Sequence, residues 1–238
     1  MNHRWQSLAI AAALLVGGKS LQADALCAKE RVRSREAALR INREWPQRPS
    51  GDELSRYIQA LGERLGRIPA AGSAIPWRFT VLRDHSPYAF AIGSGFVYIA
   101  DGALSFARNE SELAAILAHE IGHQLAGHFC EQNQSDSGVS DDSIKRRNSV
   151  GTLVQVMDPK KEQEADQYAL GLLREAGFDP RAMLEVAKRL PSHGGSGATP
   201  TDHARLLAIE HRLKDSRLLK PEIKSSNEFL RLKAAAAR

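Results

Sequence analysis

Apolar residues recur at three- and four-residue steps in several stretches of the chain and alternate with polar ones in one short region, a pattern that predicts a mostly helical α+β domain with a small sheet. From Glu30 to Glu44, Val32, Ala38, Leu39 and Ile41 mark a charged amphipathic helix that ends before Pro46. A second helix runs from Asp52, with Leu54, Tyr57, Ile58, Leu61 and Leu65 on one face, Ser50 or Asp52 as cap and Pro69 beyond its end. Trp77, Phe79 and Val81 alternate with Arg78, Thr80 and Leu82, which predicts a strand over Pro76 to Arg83 with one face buried. Tyr88 to Ile92 and Phe96 to Ala100 flank Gly93, Ser94 and Gly95, as two antiparallel strands around a glycine-rich turn would.

Asn109 followed by Glu112 has the form of a capping box, and Leu113, Ile116, Leu117, Ile121 and Leu125 continue with helical spacing. Further helices are expected over Glu162 to Ala176, Pro180 to Leu190 and His203 to Leu213, separated by Gly177 and a flexible segment from Ser192 to Thr199. Between the Asn109 helix and these, residues 131–160 are rich in Ser, Asp, Asn, Gln and charge, the composition of a long loop that is either a lid or disordered. Residues 216–238 read as a basic tail with little core potential.

A chain of 238 residues, 42% hydrophobic, can bury one substantial core. Its net charge of +5 is scattered and lacks the interleaved aromatics that stack on bases, so a nucleic-acid partner is not expected. At the start, His3 and Arg4 precede an apolar run from Leu8 to Gly18 and then the small residues Ala23 and Ala25. That layout predicts a signal peptide over residues 1–25, cleaved after Ala23 or Ala25, with a retained membrane anchor as the other reading. The domain proper would then span 26–215 and be exported in soluble form. After export Cys27 and Cys130, the two cysteines, either pair as a disulfide or remain free thiols, and two cysteines cannot build a finger-type zinc site.

The chemistry sits in His119, Glu120, Ile121, Gly122 and His123, an HExxH pattern. Four residues is a little over one helical turn, so both imidazoles share a face and together suit a zinc ion. Apolar neighbours on either side predict a buried helix, where unpaired imidazoles would be costly. Glu120 is badly placed to join both histidines on a metal and well placed to act as a general base. A carboxylate must complete the site, and the downstream run from Glu162 to Ala169 offers both Glu162 and Glu164, which spacing alone does not separate. His128 falls nine residues after His119, one short of a third-histidine pattern, and reads as structural; His193 reads as a surface residue.

These motifs, with the LGERL helix, the AFAIGSGFVYIADGAL stretch, NESELAAILAHEIGHQLAGH and EQEADQYA, resemble metallopeptidase family forty-eight, the gluzincins that include prenyl-protein (CAAX), HtpX and periplasmic BepA-type proteases. The resemblance covers Asp52 to about Arg212. It implies a zincin-like fold whose small antiparallel sheet packs on the HExxH helix. It also implies one Zn2+ per chain held by His119, His123 and Glu164, catalysis by Glu120, and Asp166 orienting a ligand histidine. His203 resembles a family histidine that stabilises the oxyanion, although the proline expected after it is missing and Arg205 is not at the usual distance, so a surface histidine is the other reading. The strand from Tyr88 would edge the cleft, with Tyr88 standing where the family often has asparagine. The implied activity is endopeptidase action on unfolded or damaged exported proteins, the alternative being a chaperone-like binder with a closed cleft.

Overall fold

The computed structural model describes residues 27–67, 75–130, 159–189, 200–214 and 225–236. Helices α1 (Ala28–Glu44) and α2 (Glu53–Gly66) precede three strands, β1 (Arg78–Leu82), β2 (Ala89–Gly93) and β3 (Phe96–Ala100). Then come a short α3 (Gly102–Phe106), the HExxH helix α4 (Glu110–Leu125), α5 (Pro159–Glu175), α6 (Arg181–Arg189), α7 (Pro200–Lys214) and α8 (Asn227–Ala236). The expected signal segment, residues 131–158 of the expected loop, His193 and residues 216–224 of the tail lie outside the described residues. Among the described residues, no helix is long and apolar enough to cross a membrane.

The sheet has the order β1-β3-β2, with β3 antiparallel to β2 and parallel to β1. It is therefore mixed, where an antiparallel sheet was expected. The connection after β1 carries the chain past one strand position, and the Gly93–Gly95 turn folds β3 back into the gap. All three turn residues have positive φ, 92°, 53° and 79°, and Ser94 between two glycines is the only non-glycine among the described residues to do so.

Side chains alternate across the sheet. Phe79, Val81, Ala89, Val97 and Ile99 face the main core with α2, α4 and α5, while Phe90, Ile92, Tyr98 and Ala100 face Ala38, Ile41 and Trp45 around α1. Both faces are covered, which is why the β2 and β3 sequences are apolar throughout rather than alternating. The apolar stripe of α2 is buried as its spacing predicts, and Gly62 and Gly66 on the same helix admit the rings of Phe79 and Trp77. On α4, the Asn109 side chain accepts from the Glu112 N–H at 3.0 Å, while the Glu112 carboxylate accepts from the Arg108 N–H at 2.7 Å. The capping box is thus displaced by one residue from its usual partner.

The described part of the tail is not loose. Phe229 is fully buried and Leu232 nearly so, both in the main core. Lys233 donates to the carbonyls of Leu104, Ser105 and Ala107, satisfying the end of α3. Glu110, at the start of α4, accepts from the hydroxyls of Tyr57 (2.8 Å) and Ser226 (3.0 Å), which ties α8 to the HExxH helix. Phe229 and Leu232, two apolar side chains three positions apart, are too short a pattern to stand out from a basic tail. Phe229→Ala should lower unfolding free energy by about 3–5 kcal/mol in a urea titration; a change under about 0.5 kcal/mol, typical of an exposed site, would show that α8 does not contribute to the core.

Candidate metal centre

Helix α4 and helix α5 cross at Gly122, where an added Cβ would stand 2.4 Å from the Ala165 carbonyl oxygen. The backbone of one helix therefore touches the other between the two histidines on one side and the EQEAD residues on the other. On α5 the buried positions are Glu162, Ala165, Asp166, Ala169, Leu170, Leu172 and Leu173, most of them in a stripe at three- and four-residue spacing. Glu162 and Asp166 are the polar members of that stripe and face α4.

His119 Nε2 and His123 Nε2 face each other at 3.1 Å. Glu162 reaches both, with Oε2 3.3 Å from His119 Nε2 and Oε1 3.5 Å from His123 Nε2. One donor atom from each of the three lies within 4.8 Å of the others, a group that could hold a metal ion. Two imidazole nitrogens and a carboxylate are the donor set of catalytic zinc sites.

The far nitrogens fix the near ones. Asp166 Oδ1 lies 2.9 Å from His119 Nδ1, and a carboxylate accepts, so Nδ1 carries the proton and Nε2 is free to turn its lone pair to a metal. On the second histidine the link is longer: Glu164 Oε2 lies 3.0 Å from His128 Nε2, and His128 Nδ1 lies 2.9 Å from His123 Nδ1. The carboxylate takes the Nε2–H of His128, His128 Nδ1 takes the Nδ1–H of His123, and His123 Nε2 is left as a donor atom.

Arg205, from α7, is buried against this group. It donates to both Asp166 oxygens at 2.6 and 2.8 Å, and its guanidinium lies 3.3 Å from Glu162 Oε2. Burial would raise the Glu162 carboxyl, but the hydrogen bond and charge of His119, with Arg205 behind, hold it down to about 2. Burial works against charge on His119 as well, yet Asp166 and Glu162 together push it up to about 10. His123, buried beside that charge, is driven down to about 3. The carboxylates around them thus favour positive charge on the face where the two Nε2 atoms meet.

Glu120 turns away from this group towards the sheet. Its Oε2 accepts from the backbone N–H of Ala91 on β2 at 2.9 Å. Burial is the main reason its carboxyl rises to about 7, a value suited to taking and returning a proton near neutrality.

His119 and His123 thus share a face as their spacing predicts, with Glu120 beside them on the side of β2. Glu164, the expected third ligand, is not: its side chain is 61% exposed and its oxygen sits on His128. Two residues along a helix is about 200°, so Glu164 cannot share a face with Glu162 and Asp166. His203 is also left out. It is exposed, two residues from buried Arg205 and hence on the other side of α7, whose buried positions among the described side chains are Arg205 and Ile209. Tyr88 packs behind the sheet with Phe90 and donates its hydroxyl to Asp84 at 3.0 Å. Arg205 was the residue the sequence hid, and its four-residue step to Ile209 is the signal that marks its inward face.

Residues 52–144 match the family model described as peptidase family M48. The chain is similar to the mitochondrial metalloendopeptidase OMA1 of Schizosaccharomyces pombe, 28% identical over 191 residues, which cover 71% of this chain and 56% of that protein. It is also similar to the beta-barrel assembly-enhancing protease of Yersinia pestis, 29% identical over 69% of this chain and 37% of that protein. The putative protein of that name in Vibrio cholerae is 27% identical over 69% and 38%. The aligned stretch spans about half or less of these relatives' lengths.

The two glutamates separate in a zinc titration. Glu162→Gln should lose stoichiometric zinc, whereas Glu164→Gln should keep it with affinity weakened about 10–100-fold through His128. Full loss in Glu164→Gln with full retention in Glu162→Gln would reverse these roles.

Proposed function

We propose that the chain, residues 52–144 of which match the model of peptidase family M48, is a zinc metalloendopeptidase of the zincin-like, gluzincin type, with one Zn2+ held by His119, His123 and Glu162. The observation that carries the reading is the meeting of these three side chains, each oriented by a further buried or bridging partner, with Glu120 alongside. Their chemistry fits the ion: two neutral imidazole nitrogens, one carboxylate kept ionised by Arg205 and His119, and outer partners that fix both tautomers. Zinc bound by such a set supplies Lewis acidity towards a peptide carbonyl and lowers the pKa of water.

What this chain's own residues do follows from their positions. Glu120 takes the proton of the attacking water and returns it to the leaving amine, a task for which its raised pKa suits it. Asp166 and Arg205 hold His119 and Glu162 in place. Strand β2 lies at the open end of the sheet order, and the Ala91 N–H on it points to Glu120. An extended segment laid along that edge would bring its backbone past the general base, which favours unfolded polypeptides and loose sequence preference.

Export to the periplasm and action on unfolded or damaged envelope proteins complete the proposal. Their support is the leader-like sequence of residues 1–25 and the names of the relatives, three of which refer to a mitochondrial endopeptidase or to β-barrel assembly. Glu120→Gln should retain zinc and fold but lose at least about 10²-fold in hydrolysis of an unfolded protein substrate. Unchanged turnover in that variant would remove the proposed base, and a wild-type protein that binds the substrate and never cleaves it would be a binder.

A further inference from the structure

A second cluster lies at the far end of α4. Cys27 is the N-cap residue of α1 and Cys130 follows the end of α4, and the Cys27 N–H donates to Cys130 Sγ at 3.3 Å. Both are half-buried, and their sulfurs lie within 4.8 Å of each other and of a Glu30 oxygen. Two contacts independent of the sulfurs hold the two segments in this register: Arg33 donates to the Phe129 carbonyl at 2.9 Å and Gln124 to Glu30 at 2.8 Å, while Ser34 ties α1 to β2 through the Ile92 carbonyl at 2.9 Å.

Glu30 is the hub of the cluster. It is 1% exposed, and one oxygen accepts from the Ser94 N–H at 2.5 Å and from Gln124 Nε2, while the other faces Cys130 Sγ at 3.0 Å. Gln124 follows His123 directly, and Ser94 is the centre of the strained β2–β3 turn.

We propose that Cys27 and Cys130 are a disulfide-forming pair, closed by exchange with an external disulfide, which staples the start of α1 to the end of the HExxH helix with Glu30 as proton acceptor. The inference does not depend on the zinc reading. Burial pushes the Cys130 thiol up to about 12, with Cys27 and Glu30 adding to the effect, so it enters the reaction second. Cys27 sulfur, as thiolate, attacks the external disulfide, forms a mixed disulfide and expels one thiolate. Cys130 then passes its proton to Glu30 Oε2 as its sulfur attacks Cys27 Sγ and expels the second thiolate. Glu30 then releases that proton to water, so the chain has lost two electrons and two protons and the external disulfide is reduced to two thiols. The product is neutral, which suits a cluster that already buries one carboxylate; a metal held by two thiolates and Glu30 would carry three anionic donors.

Full-length protein incubated with oxidised glutathione should become two hydrogens lighter, yield a proteolytic peptide pair joining Cys27 to Cys130, and react with no thiol reagent after denaturation. The bridge would close 103 residues of chain, and its reduction should lower Tm by about 10 °C. The Cys27→Ser/Cys130→Ser protein should melt near the reduced wild type and ignore reductant. Two titratable thiols per chain after this treatment would overturn the proposal. So would a disulfide-linked dimer, or a second equivalent of zinc present in the wild type and absent from the double variant, which would make the cluster a metal site.

Discussion

The close approach of α4 and α5 at Gly122 and Ala165 is the constraint from which the site follows. No side chain separates the helices there, so the turn carrying His119 and His123 lies directly against the turn carrying Glu162 and Asp166. A helix pair kept apart by an ordinary side chain would carry the carboxylates out of reach of the imidazoles. The apolar stripes on either side, from Leu113 to Ile121 on α4 and from Ala169 to Leu173 on α5, supply the burial that holds the crossing together.

Burying so many ionisable groups is costly unless each is matched, and here they are matched in series. Arg205 supplies a fixed positive charge, shared between Asp166 and Glu162; Asp166 in turn orients His119. His128, buried, passes the orienting role of an exposed carboxylate, Glu164, inward to His123. The two proposed histidine ligands are therefore fixed by different means, one by a buried ion pair and one by a relay that ends at solvent.

Much of this was legible in the chain. The stripe of α2, the paired strands around Gly93–Gly95, the Asn109 cap and the HExxH helix all follow from periodicity and capping chemistry, and each formed where expected within a few residues. That Glu162 rather than Glu164 faces α4 was also legible in principle, because only Glu162 falls in phase with Ala165, Ala169 and Leu173; the resemblance implied Glu164 instead. Three things were not legible. The parallel pairing of β1 with β3 depends on a crossover that local pattern does not encode. Packing of α8 rests on Phe229 and Leu232, too few apolar positions to mark a core helix. Arg205 reads as one more surface arginine until the fold places two carboxylates around it.

Diffraction from zinc-loaded crystals, recorded on both sides of the zinc absorption edge, bears most directly on the central claim. It should place one anomalous peak about 2.0–2.2 Å from His119 Nε2, His123 Nε2 and a Glu162 oxygen, with Glu164 still on His128. A peak ligated by Glu164 with Glu162 turned away, or no peak between the two imidazoles, would contradict it.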